Sequence, residues 1–105
     1  VKHYGICLCA NIAPYADDRA VNRDLIGAEG NYVEIFVDTS LEDCEKRDVK
    51  GLYAKARAGH LKNFTGIGSP YERPSKPEIR IDTMELNVEQ AASLIVTYYL
   101  NTINM

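Results

Sequence analysis

Nothing in this chain approaches the ~20 consecutive apolar residues that a membrane-spanning helix requires, so no membrane partner is read from it. An excess of basic charge is missing as well. Twelve Lys and Arg stand against 15 Asp and Glu, a formal net charge of −3, and nucleic-acid binding usually calls for a basic field. Cysteines are few and odd in number. Cys7 and Cys9 lie two apart in an apolar run and Cys44 sits in a polar, helix-like segment, whereas a zinc site needs more ligands at better spacing. Reduced, structural thiols in a cytoplasmic protein are expected, with no metal site. A secretory leader is not expected either, because Val1-Lys2-His3-Tyr4 leads directly into a strand-like run. The absence of a starting Met gives the expectation of a mid-chain start or a processed polypeptide.

What is present fits one small domain of 105 residues, a size that buries roughly two-thirds of its unfolded surface. Its apolar and charged fractions are those of a soluble globular protein. From Gly5 to Asn11 the near-continuous apolar run GICLCAN suits a parallel strand covered on both faces. Pro14 breaks it. A helix follows from Asp17 to Ile26, with acidic residues in its first turn and Gly27 and Gly30 at its end. Tyr32–Asp38, YVEIFVD, is rich in β-branched and aromatic residues and reads as a second strand. Thr39 and Glu42 have the spacing of a capping box, which predicts a helix over Ser40–Arg47. A further helix over Gly51–Ala58 stops at Gly59. A third strand spans Glu78–Asp82. Asn87 with Gln90 caps a last helix whose apolar positions Val88, Ala91, Ala92, Ile95 and Tyr99 share a face. Strands alternating with helices predict an α/β layer with a parallel sheet.

Residues 60–77 carry Gly66, Gly68, Pro70, Pro74 and Pro77 without a periodic pattern. Loops of this length inside a compact domain tend to be functional lids or disordered. The stretch from Lys50 through Tyr71 holds no Asp or Glu, but it holds Lys50, Lys55, Arg57, His60 and Lys62. Lys50 and Arg57, seven apart, would share a helix face. Cations beside Phe64 on a loop suit a nucleotide-binding lid: the charges offset phosphate, the ring stacks on a base, and closure excludes water. A solvated basic face suits the same composition. Asp17 and Asp18 fit a helix N-terminus better than an acid–base pair, and His60 and His3 fit solvated positions better than general bases.

The ordered blocks RDVKGLYAKARAG and KNFTGI, followed by SPYE and PEI, closely resemble those of adenylylsulfate (APS) kinases. Upstream, CANIAPYADDR is similar to that family's segment with Ile-Ser-Pro-Tyr followed by Asp-Arg. The resemblance implies the C-terminal part, over residues 1–105, of a kinase domain with a P-loop NTPase-type parallel sheet flanked by helices and a lid near 60–77. It implies transfer of the γ-phosphoryl group of ATP, with Mg²⁺, to the 3'-hydroxyl of adenosine 5'-phosphosulfate. By resemblance, Phe64 stacks on the APS adenine with Asn63 at the same contact, Lys50 and Lys62 serve the APS side, and Ile12 and Ala13 lie along APS. Arg57 reaches phosphate, Arg47 packs on the ATP adenine, and the backbone near Leu86 closes that pocket. A homodimer is implied, and fusion to an ATP sulfurylase is an open variant. No catalytic residue is assigned.

The family usually has Ser where this chain has Ala13, a common Arg where it has Ala16 and a common Glu where it has His60. No G-x-x-x-x-G-K-[ST] sequence occurs, so the loop that cradles ATP phosphates and the main Mg²⁺ ligands are expected in an N-terminal portion outside this chain. In the family's sheet the strand leading into that loop lies between the strands read at 5–11 and 32–38. The isolated chain is therefore expected to leave backbone groups unpaired, to fold abnormally and to be inactive. A non-catalytic regulatory copy, binding 3'-phosphoadenylylsulfate on a sulfurylase, is the alternative.

Overall fold

The computed structural model describes residues 5–48 and 50–103. Its elements are α1 (Ala16–Gly27), β1 (Ile35–Asp38), α2 (Leu41–Arg47), α3 (Leu52–Arg57), β2 (Ile79–Asp82) and α4 (Val88–Ile103). The two strands pair in parallel, Ile35 with Ile79 through Asp38 with Asp82. A parallel pair requires a long crossover, which α2, α3 and the connection to β2 supply. The expected α/β architecture with a parallel sheet is what forms.

Burial follows the strands. Phe36, Ala56, Ile79 and Ile81 make the small core, with Ile81 only 3% exposed. On β2 the two buried isoleucines alternate with exposed Arg80, the period-two pattern of a sheet covered on one face. Glu78 staples α1 to this sheet. Arg23 donates to both of its oxygens, at 3.0 and 2.8 Å, and the Glu34 amide donates at 2.7 Å. Burial pushes the Glu78 carboxyl up, but the Arg23 and Glu34 bonds outweigh it and the group lies below the usual carboxylate range.

The helix ends are set by short-range chemistry. Gly59, at φ +81°, lets the His60 amide donate to Lys55 O and the Gly59 amide to Ala56 O, closing α3 as expected. The Asn87–Gln90 box also forms, each side chain accepting from the other's amide at 2.8 and 2.9 Å. α2 is capped one residue later than the spacing suggested. Ser40, not Thr39, accepts from the Asp43 amide, because the Thr39 hydroxyl is drawn to that of Thr83 where the strands end.

Three expectations are corrected. Residues 5–11 form no strand: they are exposed, Leu8 by 87%, and no described strand stands beside them to take their backbone hydrogen bonds. Of the expected apolar face of α4, Ala91 and Ile95 are half-buried, whereas Val88 is 86% exposed and Tyr99 lies outside the core; Leu94, Tyr98 and Asn101 line a depression with Ile79 and Arg80. Finally, α3 begins at Leu52, so Lys50 precedes the helix and does not share its face with Arg57.

Candidate functional site

The C-terminal ends of parallel strands are where open α/β sheets place ligands. Here β1 runs out into Thr39, and α2 and α3 fold back over that end. An open depression of about 340 Å³ lies there, lined by Thr39, Cys44, Arg47, Asp48, Lys50, Leu52 and Tyr53. Two cations expected at a nucleotide site, Arg47 and Lys50, thus share one concavity. Arg47 is exposed and donates to Thr83 O at 3.2 Å, which brings it to the turn after β2. Leu86 is half-buried in that turn, its amide bonded to Asp82 O at 3.0 Å. The neighbour of Arg47 in sequence serves a different purpose. Asp48 accepts from the amides of Tyr53 and Ala54 at 2.9 and 3.0 Å, satisfying the orphan donors of α3 and fixing the path of the chain past Lys50.

Tyr53 links this depression to the next segment. Its ring meets Phe64 edge-on, with centroids 4.9 Å apart and planes at 90°, a favourable aromatic geometry. Burial, reinforced by Cys44 and by the carboxylates of Asp48 and Glu45, pushes the Tyr53 phenol up. Cys44 is half-buried, its thiol 3.9 Å from Thr39 O.

The segment around Phe64 is not the patternless loop that its sequence suggests. Phe64 O accepts from the amides of Ile67, Gly68 and Ser69 at 3.0, 2.8 and 3.1 Å, and the Gly66 amide returns to Ser69 O at 2.7 Å. Gly66 adopts φ +92°, and a Cβ there would meet Leu41 Cδ1 at 3.0 Å, so the turn needs glycine both for conformation and for its approach to α2. Asn63 has φ +56°, and Lys62 and Asn63 are exposed. Arg57, expected to reach phosphate, is held by Glu45 at 2.7 Å, and that pairing raises its pKa further.

Ile12 and Ala13 belong to a second constellation. Ile12 is exposed. Ala13 sits at φ +42°, a conformation that costs a non-glycine residue on the order of 1–3 kcal/mol and persists only where surroundings impose it. Arg19 imposes it. This side chain is only 8% exposed. It donates to Ala13 O at 2.6 Å and to Glu72 O, lies 3.7 Å from the Glu34 carboxylate, and stacks over the Tyr71 ring at 5.6 Å. Glu72 answers with its amide to Pro14 O at 2.8 Å and its carboxylate to the Ala16 amide at 2.7 Å, supplying negative charge at the N-terminus of α1. Next along, Arg73 joins Arg80 on Asp38, at 3.1 and 2.7 Å, and crosses the Phe36 ring at 5.0 Å. Asp38, 12% exposed, is held below the usual carboxylate range by Arg73 and then Arg80.

The sequence reading named neither Arg19 nor Asp38 as site residues. The Asp-Arg and SPYE blocks were both visible, but nothing in the spacing says that they meet. His60 is exposed, as expected, and His3 lies outside the described residues. Of the thiols, Cys9 is pushed up by its neighbour Cys7, 3.6 Å away. Among the described residues no cluster of His, Cys, Asp or Glu is arranged to hold a metal, and no helix is long and apolar enough to cross a membrane.

With this geometry in hand, comparison with known proteins is informative. The family profile described as adenylylsulphate kinase matches residues 1–82. The adenylyl-sulfate kinase of Pseudomonas aeruginosa is 50% identical over 93 residues, covering 89% of this chain and 47% of that protein. The bifunctional enzyme NodQ of Azospirillum brasilense is 52% identical over 91 residues, 87% of this chain but 14% of its own length. Among solved structures, the APS kinase CysC of Mycobacterium tuberculosis, in complex with AMPPNP and APS, superposes with a TM-score of 0.79 at 44% identity, over 83% of this chain and 50% of that one. The chain thus spans about half the length of the curated single-function relatives it matches.

Proposed function

The chain belongs to the adenylylsulphate kinase family, and from that premise we propose that the polypeptide carrying it transfers the γ-phosphoryl group of ATP to the 3'-hydroxyl of adenosine 5'-phosphosulfate. The observation that best supports the reading is the likeness, across most of this chain, to a relative solved with an ATP analogue and APS together.

In such transfers the protein mainly positions the reactants and offsets charge. Phe64 stacks on the APS adenine, its ring set at right angles to that of Tyr53. Asn63 and Lys62 flank it on the exposed side of the turn, and Lys50 faces the same ligand from the depression below. Ile12 and Ala13 lie along APS from the Arg19 side. Arg47 and the backbone near Leu86 bound the ATP adenine, joined through Thr83. Arg57 reaches phosphate by exchanging Glu45 for the nucleotide, an exchange that an exposed ion pair permits. The segment 60–77 acts as a lid, with the compact turn at 64–69 as its working tip.

Mg²⁺ accompanies ATP in this chemistry, but the described residues do not fit it: both Asp38 oxygens are taken by arginines. Its main ligands are expected in an N-terminal portion of the longer polypeptide. Homodimerisation and a cytoplasmic location follow from the family reading. Carriage on a longer polypeptide has support from the bifunctional relative, and an ATP sulfurylase is the partner domain that the family reading suggests.

The test is an assay of the full-length protein with γ-labelled ATP, Mg²⁺ and APS. Label in a product phosphorylated at the 3'-hydroxyl is expected. Binding of 3'-phosphoadenylylsulfate without label transfer would overturn the kinase reading in favour of a regulatory module, for which the alanine at position 13 leaves room.

A further inference from the structure

Arg19 is the one charged side chain that is buried among the described residues, and its bonds go to places that a purely architectural residue would not need to reach. α1 is already fastened to the sheet by the bidentate Arg23–Glu78 pair. Arg19 instead donates to two main-chain carbonyls in irregular segments, Ala13 O and Glu72 O. One of these segments is proposed to lie along APS, and the other is the C-terminal root of the proposed lid. Glu34 offsets the guanidinium charge from below and Tyr71 covers its face. The planar, multi-donor fork of arginine serves two carbonyls and a carboxylate at once, as an ammonium group cannot. Since Ala13 is in a backbone region that alanine rarely adopts, the segment relaxes when this grip is lost.

We propose that Arg19 is a positioning residue for the acceptor nucleotide: it fixes the Ile12–Ala13 segment against the Tyr71–Arg73 root, so that one buried guanidinium sets both walls between which APS sits. This rests on the kinase reading above. Arg19 touches no substrate, so its influence runs through backbone placement. It acts on APS and not on ATP, whose proposed contacts at Arg47 and Leu86 gather around Thr83 and involve neither Ala13 nor Glu72. The exposed side chain of Glu72 is the second half of the same latch, through its bond to the Ala16 amide.

The experiment uses the full-length protein and separate KM values for the two nucleotides. Arg19→Lys is expected to raise the KM for APS by about tenfold or more, the scale of losing a buried charge-assisted hydrogen bond. The KM for ATP should stay within about twofold. Glu72→Ala, at an exposed position that folding tolerates, should move the KM for APS in the same direction by a smaller factor and leave that for ATP alone. If Arg19→Lys does not fold, Glu72→Ala tests the latch through its other half, and an unchanged KM for APS overturns the latch. An active wild type whose variants keep the KM for APS, or raise both KM values together, overturns the role of Arg19. A wild type without APS-dependent transfer overturns the kinase reading and this inference with it.

Discussion

The connection between α3 and β2 is built in two ways along its length. Its front, around Phe64, closes on itself: one carbonyl takes three amides, and outside contacts come down to an aromatic edge against Tyr53 and a glycine against Leu41. Its root, Tyr71 to Arg73, has no internal structure but is tied by hydrogen bonds, ion pairs and aromatic faces to α1, to the segment before it and to the end of β1. If the segment serves as the proposed lid, the first construction supplies a unit that can move whole and the second supplies its pivot. Proline and glycine content alone makes the two halves look alike. What separates them is where their backbone groups find partners.

The comparison can be broken most forcefully at the front. Phe64→Ala in the full-length protein is expected to weaken APS binding by about 1–3 kcal/mol, if stacking resembles that on nucleic-acid platforms, with unfolding of the domain little changed. Calorimetric titration with APS checks it, and unchanged affinity would remove the stacking role. Gly66→Ala tests whether the front is a unit. It places a side chain at positive φ and against Leu41, and should cost about 1 kcal/mol or more, read in a denaturant midpoint, while APS affinity falls with it.

At the root, Asp38→Asn weakens the anchor of Arg73 and Arg80 by less than the glycine change, because both arginines are exposed and screened by solvent. The pH dependence has a definite sign. Arg73 and Arg80 depress the Asp38 carboxyl in the folded state, so its contribution is present above the ordinary aspartate pKa of about 4 and is lost as pH falls through the lower folded value. A stability profile from neutral pH down through that range should steepen at its acid end in the wild type and less in Asp38→Asn. The smallest stability effect belongs to Arg57→Ala, whose partner Glu45 is a surface contact; the denaturant midpoint should hardly move. Turnover should fall nonetheless if Arg57 exchanges Glu45 for phosphate, and equal turnover would leave Arg57 as a surface ion pair alone.

What the sequence made legible is what short-range chemistry decides. Gly59 ends α3 and Asn87 with Gln90 starts α4 because the groups concerned lie within one turn of each other. Thr39 was the wrong cap for the opposite reason: its hydroxyl is claimed by Thr83, far along the chain but adjacent across the sheet. The run GICLCAN has the composition of a buried strand, yet composition states a requirement for neighbours without supplying them, and in this structure the run lies exposed. The cationic residues of the candidate site were proposed from their type and order in the sequence. Arg19 was not, because burial of a charge depends on two carbonyls, a carboxylate and a ring brought together from three places in the chain.

On the proposed reading, a self-contained front closes on nucleotide while the root stays fixed. Amide hydrogen exchange in the full-length protein, with and without APS and a non-hydrolysable ATP analogue, addresses it most directly. Protection should rise across 62–69 together, while the Glu72 amide, already bonded to Pro14 O at 2.8 Å, exchanges as before. A Glu72 amide that changes as much as the front, or a front that does not change at all, would contradict the account.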